Sequence, residues 1–285
     1  MAVSRTPAQR RRVAQRFGRN PRALLGALIL AVLVTMAVTA SRVAPYPPEI
    51  ANFEHRLVAP GGAHLFGTDH LGRDVLSRTI WASRTSLTIG FMAAAIAVSL
   101  GVLVGAVAGY LGGWPDATLM RMTDMVLAFP VFFVAVMFLA LFGPTIAGLV
   151  TVISATSWPP TARLVRAEFL RLRTLDFVTA ARSLGAPETR VMARHILPNI
   201  VAVIVISVTL RVGVSILAEA SLSYLGLGVQ PPTASWGNLV ADGRDYLRSA
   251  WWVSVFPGSL VFLSVMAFNL LGDGLRDAFD PRMRV

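Results

Sequence analysis

The chain contains no cysteine and no lysine: all 26 of its basic residues are arginine. Without cysteine there is no disulfide framework, no thiolate nucleophile and no cysteine-ligated zinc or iron–sulfur site. Without lysine there is no P-loop amine to hold a nucleotide phosphate and no Schiff base, so any ATP chemistry has to come from another subunit. Charge of either sign is scarce. Soluble chains carry about a quarter of charged residues, whereas this one has 14% in 285 residues, with 55% hydrophobic residues and a mean hydropathy of +0.63. Most of such a chain cannot face water, which makes it a membrane protein. It has no HExxH pair and no GxSxG serine, which argues against a membrane-embedded hydrolase. A proton- or sodium-driven transporter needs several intramembrane carboxylates, and here Asp124 and Glu219 fall only at the ends of apolar runs. The net charge of +11 does not imply a nucleic-acid partner, because the arginines cluster beside apolar runs instead of forming one basic face.

A bilayer core about 30 Å thick is crossed by about 20 helical residues. Six apolar stretches predict an all-α, polytopic protein with spans at about 23–40, 87–111, 125–142, 146–160, 196–217 and 252–271. Gly143-Pro144-Thr145 reads as the turn of a hairpin between the third and fourth. The first span has an alternative reading as a secretory signal peptide, since arginines precede it and Val38-x-Ala40 resembles a cleavage site. The resulting parts are a basic tail at 1–22, a transmembrane domain at 23–271 and a short tail at 272–285. With the N-terminus inside, 18 arginines fall in inner segments and 7 in outer ones. The positive-inside rule then places both termini in the cytoplasm of a multi-pass plasma-membrane protein. Two connections are too long for turns, an outer one at 41–86 and an inner one at 161–195, and long loops that persist are usually functional.

In the inner connection, Leu164, Val165, Phe169, Leu172, Leu175 and Val178 recur at helical spacing among arginines, predicting an amphipathic helix. Ala180 and Ala181 follow, then Gly185 and Pro187. Small residues, a helix-ending glycine and a helix-starting proline predict a helix, a tight turn and a second helix. Such a corner, almost free of side chains, suits docking by another protein; an amphipathic helix lying on the anionic inner leaflet accounts for the same pattern.

The stretch TAARSLG (179–185), followed after nine residues by HILP (195–198), resembles the EAA loop of ATP-binding-cassette importer permeases, the cytoplasmic element that docks into a cleft on the ATPase. FGTDHLGRDVLSR (66–78), LAFP (127–130), EASLSYLGLGVQPP (219–232), SWGN (235–238) and FNLLGDGLRDAFDPR (268–282) are similar, in order, to segments of the second, C-type permease of dipeptide/oligopeptide/nickel importers. This resemblance covers residue 64 to the end. It implies coupling to the ATPase through Thr179, Ala180, Ala181, Gly185, Pro187, Ile196, Leu197 and Pro198. It also implies a heterodimer with a homologous permease in membrane lipid, two ATPase subunits that carry ATP and Mg, and an extracytoplasmic solute-binding protein. The chain itself would bind no cofactor and would be no enzyme. Its cargo would be di- or oligopeptide, with nickel or another small solute as the alternative. Thr179 stands where the EAA motif usually has glutamate, so that glutamate's contact is not carried over.

Other patterns stand apart from the resemblance. Gly101, Gly105 and Gly109 fall four apart on one helix face, which predicts close helix packing. His55, His64 and His70 are irregularly spaced and read as surface histidines, not as a metal site. Asp69, Arg73 and Asp74 predict a local ion-pair cap at a helix start. Asp273/Arg276 and Arg276/Asp280 have helical spacings and predict an ion-paired C-terminal helix. Arg211 is a charge well inside a predicted span, where arginine costs at least about 2.5 kcal/mol. Either carbonyls or a residue of a partner permease offset that cost, or Arg211 faces a water-filled pathway and attracts the carboxylate of a peptide.

Overall fold

The computed structural model describes residues 15–279, and every regular element among them is a helix. We number the main ones α1 (Pro21–Val38), α2 (Val75–Leu111), α3 (Gly113–Ala128), α4 (Val131–Phe142), α5 (Ile146–Ser157), α6 (Pro159–Leu172), α7 (Asp176–Ser183), α8 (Glu188–Tyr224), α9 (Trp236–Asp242) and α10 (Trp252–Phe279). Of the expected tails at 1–22 and 272–285, residues 1–14 and 280–285, and with them Asp280 of the Arg276/Asp280 pair, lie outside the described residues.

Local chemistry sets the boundaries. Asn20 caps α1 by accepting from the Arg22 and Ala23 amides, with Pro21 at the first helical position. Asp74 caps α2, accepting from the Ser77 amide at 2.7 Å. The 37 residues of α2 extend about 55 Å. It therefore begins twelve residues before the predicted start at 87: Ser77, Arg78, Ser83 and Ser86 made this stretch read as loop, but the fold buries them all against protein. The predicted third span is broken. Pro130 lacks an amide and forces Phe129 into extended backbone (φ −89°, ψ 136°), so α3 and α4 meet at a bend of 80°. The predicted fourth span ends early, because Pro159 and Pro160 open a new helix and leave α5 with 12 residues, about 18 Å.

Two further boundaries move. The second helix of the inner connection is not separate from the fifth span. Glu188–Arg190, a π turn at Val191–Ile196 and Leu197–Tyr224 run on as the single rod α8 of 37 residues. The π turn stands where Pro198 removes an amide from the i→i−4 ladder. At the other end of the chain, α10 continues past 271 to Phe279, and Asp273 and Arg276 form no ion pair with each other.

Four helices, α1, α2, α8 and α10, are long and apolar enough to cross a membrane, or five elements if the bent α3–α4 pair is one span. The chain is thus a multi-pass membrane protein, with fewer full-length spans than the six expected. Close approaches hold the rods together. A Cβ on Gly26 of α1 would lie 2.8 Å from the Ala267 carbonyl oxygen of α10, and Val212 and Ile216 of α8 pack with Leu87 and Ala94 of α2. The start of α1 meets the end of α10, where Asn20 Nδ2 donates to Asp277 Oδ2 at 3.2 Å. Both described ends therefore share one end of the bundle with the α6–α7 corner.

The opposite end carries a cap made of residues 44–74 and α9. There Trp252 Nε1 donates to the Thr68 carbonyl at 3.1 Å, and Phe66 stacks on Phe256 with centroids 3.9 Å apart.

Candidate functional site

Packing of α6 on α2 builds the corner. Ala162, Val165 and Phe169 of α6 are buried, and they lie against the glycine face of α2. A Cβ on Gly101 would sit 2.6 Å from Thr161 Cβ, one on Gly105 2.4 Å from the Ala162 carbonyl oxygen, and one on Gly109 2.6 Å from that of Arg166. Only hydrogen side chains permit this separation. Arginines then tie the seam at its end. Arg166 makes a two-pronged pair with Asp116 of α3, with Nη2 to Oδ2 at 2.6 Å. Arg173 Nη1 donates to the Gly109 and Tyr110 carbonyls, both at 3.2 Å, satisfying the last turn of α2. The Arg182 guanidinium lies over the Tyr110 ring at 5.0 Å. These arginines are thus structural parts of the seam.

Beyond Arg173 the chain leaves the helix, so the predicted amphipathic helix is two helices, α6 and α7. In α7, Val178 and Ala181 are buried in one cluster with Phe169, Val191 and Ile196. The helix stops in a paired turn: the Gly185 amide donates to the Arg182 carbonyl at 2.9 Å and the Ala186 amide to that of Ala181 at 3.1 Å. Gly185 takes φ +79°, a left-handed conformation that glycine adopts without strain. Thr179, Ala180, Gly185 and Pro187 are exposed, and Leu184 between them is 88% exposed. This places a bare, apolar knuckle at the tip. Ile196 is fully buried beneath it, which corrects its expected role: it supports the corner from within and cannot touch a partner. Leu197 is half-buried and Pro198 exposed, about two turns up α8.

At the opposite end the predicted cap is present and larger than expected. Asp69 accepts from Arg73 Nε at 2.7 Å and from the Leu71 amide at 2.8 Å, and Asp74 pairs with His64 at 2.9 Å. Arg73 and Arg78 both converge on Asp242 of α9, at 3.6 and 3.5 Å. Burial pushes the Asp242 carboxyl up, while these two arginines draw it back. Nearby, Glu219 of α8 is fully buried. It accepts from Ser223 Oγ at 2.6 Å and from Ser86 Oγ of α2 at 3.2 Å, while Ser86 accepts from the Trp236 amide of α9 at 3.0 Å. Asp242 and the Ser86–Glu219 link were missed in the sequence, because their partners lie more than a hundred residues away. His55, His64 and His70 sit around the cap; among the described residues no group of three His, Cys, Asp or Glu is placed to hold a metal ion.

Ser86 makes the first test. Ser86→Ala strips a buried carboxylate oxygen and a buried amide of their shared partner, each costing about 1–3 kcal/mol. The thermal midpoint of the purified protein should fall by several degrees. Ser83→Ala removes a hydroxyl bonded only within its own helix and should cost clearly less.

Comparison with known proteins bears on the same regions. Residues 101–285 match the family model described as binding-protein-dependent transport system inner membrane component, and residues 8–60 match that of the N-terminal TM domain of oligopeptide transport permease C. The chain is 42% identical over 271 residues to a glutathione transport system permease protein of Escherichia coli, covering 95% of this chain and 89% of that one. It is 41% identical over 272 residues to a peptide transport system permease protein of Brucella suis, covering 95% and 92%. To the dipeptide transport system permease protein of Bacillus subtilis it is 38% identical over 271 residues, covering 95% and 85%.

Proposed function

The chain belongs to the binding-protein-dependent transport system inner membrane components, as a permease subunit of an ATP-binding-cassette importer, and from that premise we propose how it works. Its cargo is di- or oligopeptide, a reading supported by relatives named for peptides, dipeptides and glutathione. It pairs with a homologous permease and forms half of the pathway. Two ATPase subunits, which hold ATP and Mg, dock on the corner from the cytoplasm, and a solute-binding protein delivers cargo to the cap on the other side. This chain binds no cofactor and catalyses no reaction.

One observation carries the coupling mechanism: a continuous line of close contacts from the corner to the cap. Leu184 and Gly185 are exposed at the tip, Val178 and Ala181 rest on Phe169, and α6 is locked to α2 along three glycines. The far half of α2 holds α9 through Ser86 and Trp236. Pulling the corner therefore moves α2, and with it the cap, as one body.

Six crossings also fit this reading. The described ends share one end of the bundle, which supports an even number of crossings. With α1, α2, α8 and α10 as four, the α3–α6 segment leaves and returns to the same end. Leu139 of α4 and Leu149 of α5 pack with Ile89 and Leu222, in the half of the bundle nearer the cap. This packing supports a reading in which the α4–α5 hairpin reaches the far side and α5 continues into α6 as the sixth crossing.

Single cysteines in this cysteine-free chain test orientation and function together. Ser235 is an unsuitable site because it is fully buried and caps α9; Ser41, Ser183 and Ser249 are exposed. In cells expressing the whole importer and accumulating a labelled dipeptide, cysteines at 41 and 249 should react with an impermeant maleimide from outside, and one at 183 only after permeabilisation. Outside labelling at 183, or no ATP-dependent peptide uptake, would refute the proposal.

A further inference from the structure

Arg211 stands near the middle of α8, and no described acidic side chain acts on its guanidinium. It makes no hydrogen bond, ion pair or ring contact with another described residue. The contrast with its neighbours in kind is informative: Arg73, Arg78, Arg166 and Arg173 are all drawn against protein, and each has a partner. The fold gives each of its other described buried or part-buried arginines at least one partner and leaves this one open.

A free guanidinium at this depth cannot face lipid, since intramembrane charges turn to a water-filled cavity or a partner. Arg211 opens on a groove of about 210 Å³ between α6 and α8, with Thr161 and Leu164 on one wall and Ser207, Leu210 and Val214 on the other. That is below the roughly 300–1,000 Å³ of a complete small-molecule site, so this chain supplies one wall only. Val214 and Leu217 share one side of α8 and are exposed, so among the described residues this side is left largely uncovered. In a paired permease such an uncovered span face turns toward the second subunit and the pathway between them.

We propose that Arg211 is a specificity-determining residue of the pathway, pairing with the free C-terminal carboxylate of a peptide as it crosses. This rests on the peptide-permease reading. The chemistry suits transit: one charge-assisted bond in a groove open to water orients the chain end, without the burial that would trap it.

The test compares a peptide with its carboxyl-amidated form in the complete reconstituted importer, for wild type and for Arg211→Gln. Any preference of the binding protein is common to both complexes and cancels in the ratio. Uptake of the free peptide should fall at least about tenfold in the variant, equivalent to the loss of about 1.4 kcal/mol, and that of the amide by no more than about twofold. Arg211→Lys, which keeps the charge, should restore most of the discrimination. Equal losses for both peptides, or no loss for either, would overturn the inference. So would failure of Arg211→Gln to co-purify with its partner subunits, which would mark Arg211 as an interface residue. If the wild-type importer takes up neither peptide, the fault lies instead with the peptide-permease reading.

Discussion

A tryptophan at Gly185 should leave the permease inserted and paired while peptide uptake falls to background and the ATPases no longer co-purify. Nothing lies within 4 Å of a Cβ placed there, so the fold has room for the indole and the damage falls on what docks from outside. The one internal cost is the backbone: with φ +79°, a non-glycine residue loses about 1–2 kcal/mol. Gly185→Ala carries that same cost with little added bulk and should keep most of the uptake, which separates strain from obstruction. If Gly185→Trp retains both the complex and transport, the corner is not the docking element.

Gly105→Leu should fail in the opposite way, inside the molecule. A Cβ at this position would sit 2.4 Å from the Ala162 carbonyl oxygen and 2.9 Å from Val165 Cβ. The obstacle is backbone, which no rotamer change removes. Relief requires α6 to part from α2, yet Gly101 and Gly109, four residues to either side, hold the same short separation. Overpacking costs about 1–3 kcal/mol where neighbours can adjust, and here they cannot without losing the whole seam. Even Gly105→Ala should lower the thermal midpoint measurably, and Gly105→Leu should give little monodisperse protein on size exclusion. Gly62, with nothing within 4 Å, is the control, where leucine should change neither yield nor profile. Normal yield from Gly105→Leu would show that the seam is not needed.

How much of this was legible in the residues depended on the range of the interaction. The corner was readable because its signals are local: Ala180, Ala181, Gly185 and Pro187 are neighbours, and each has its effect on backbone within one turn. The glycine face of α2 was readable as a packing surface because period four is a property of one helix. Its partner was not, since nothing in residues 159–172 announces which helix they will meet. Glu219 stood out only as a charge at a span end. Its neighbours Ser86 and Trp236 came from distant segments, and serine in an apolar run carries no signal of what it will bond.

Composition and apolar run length by themselves determined that this chain lives in a membrane as a helical bundle, because removing so much apolar surface from water outweighs any other arrangement. Local turn chemistry determined where the corner bends. Tertiary structure alone decided that Val75 to Ser86 is helix, since Ser77, Arg78 and Ser86 there find partners in α8, α9 and the 44–74 segment instead of in water. It decided that Ile196 lies beneath the corner and Leu184 on it, although both are apolar and close in sequence. It also decided that Arg211 is left open while other arginines are paired, because a charge finds a partner only where packing brings one within reach.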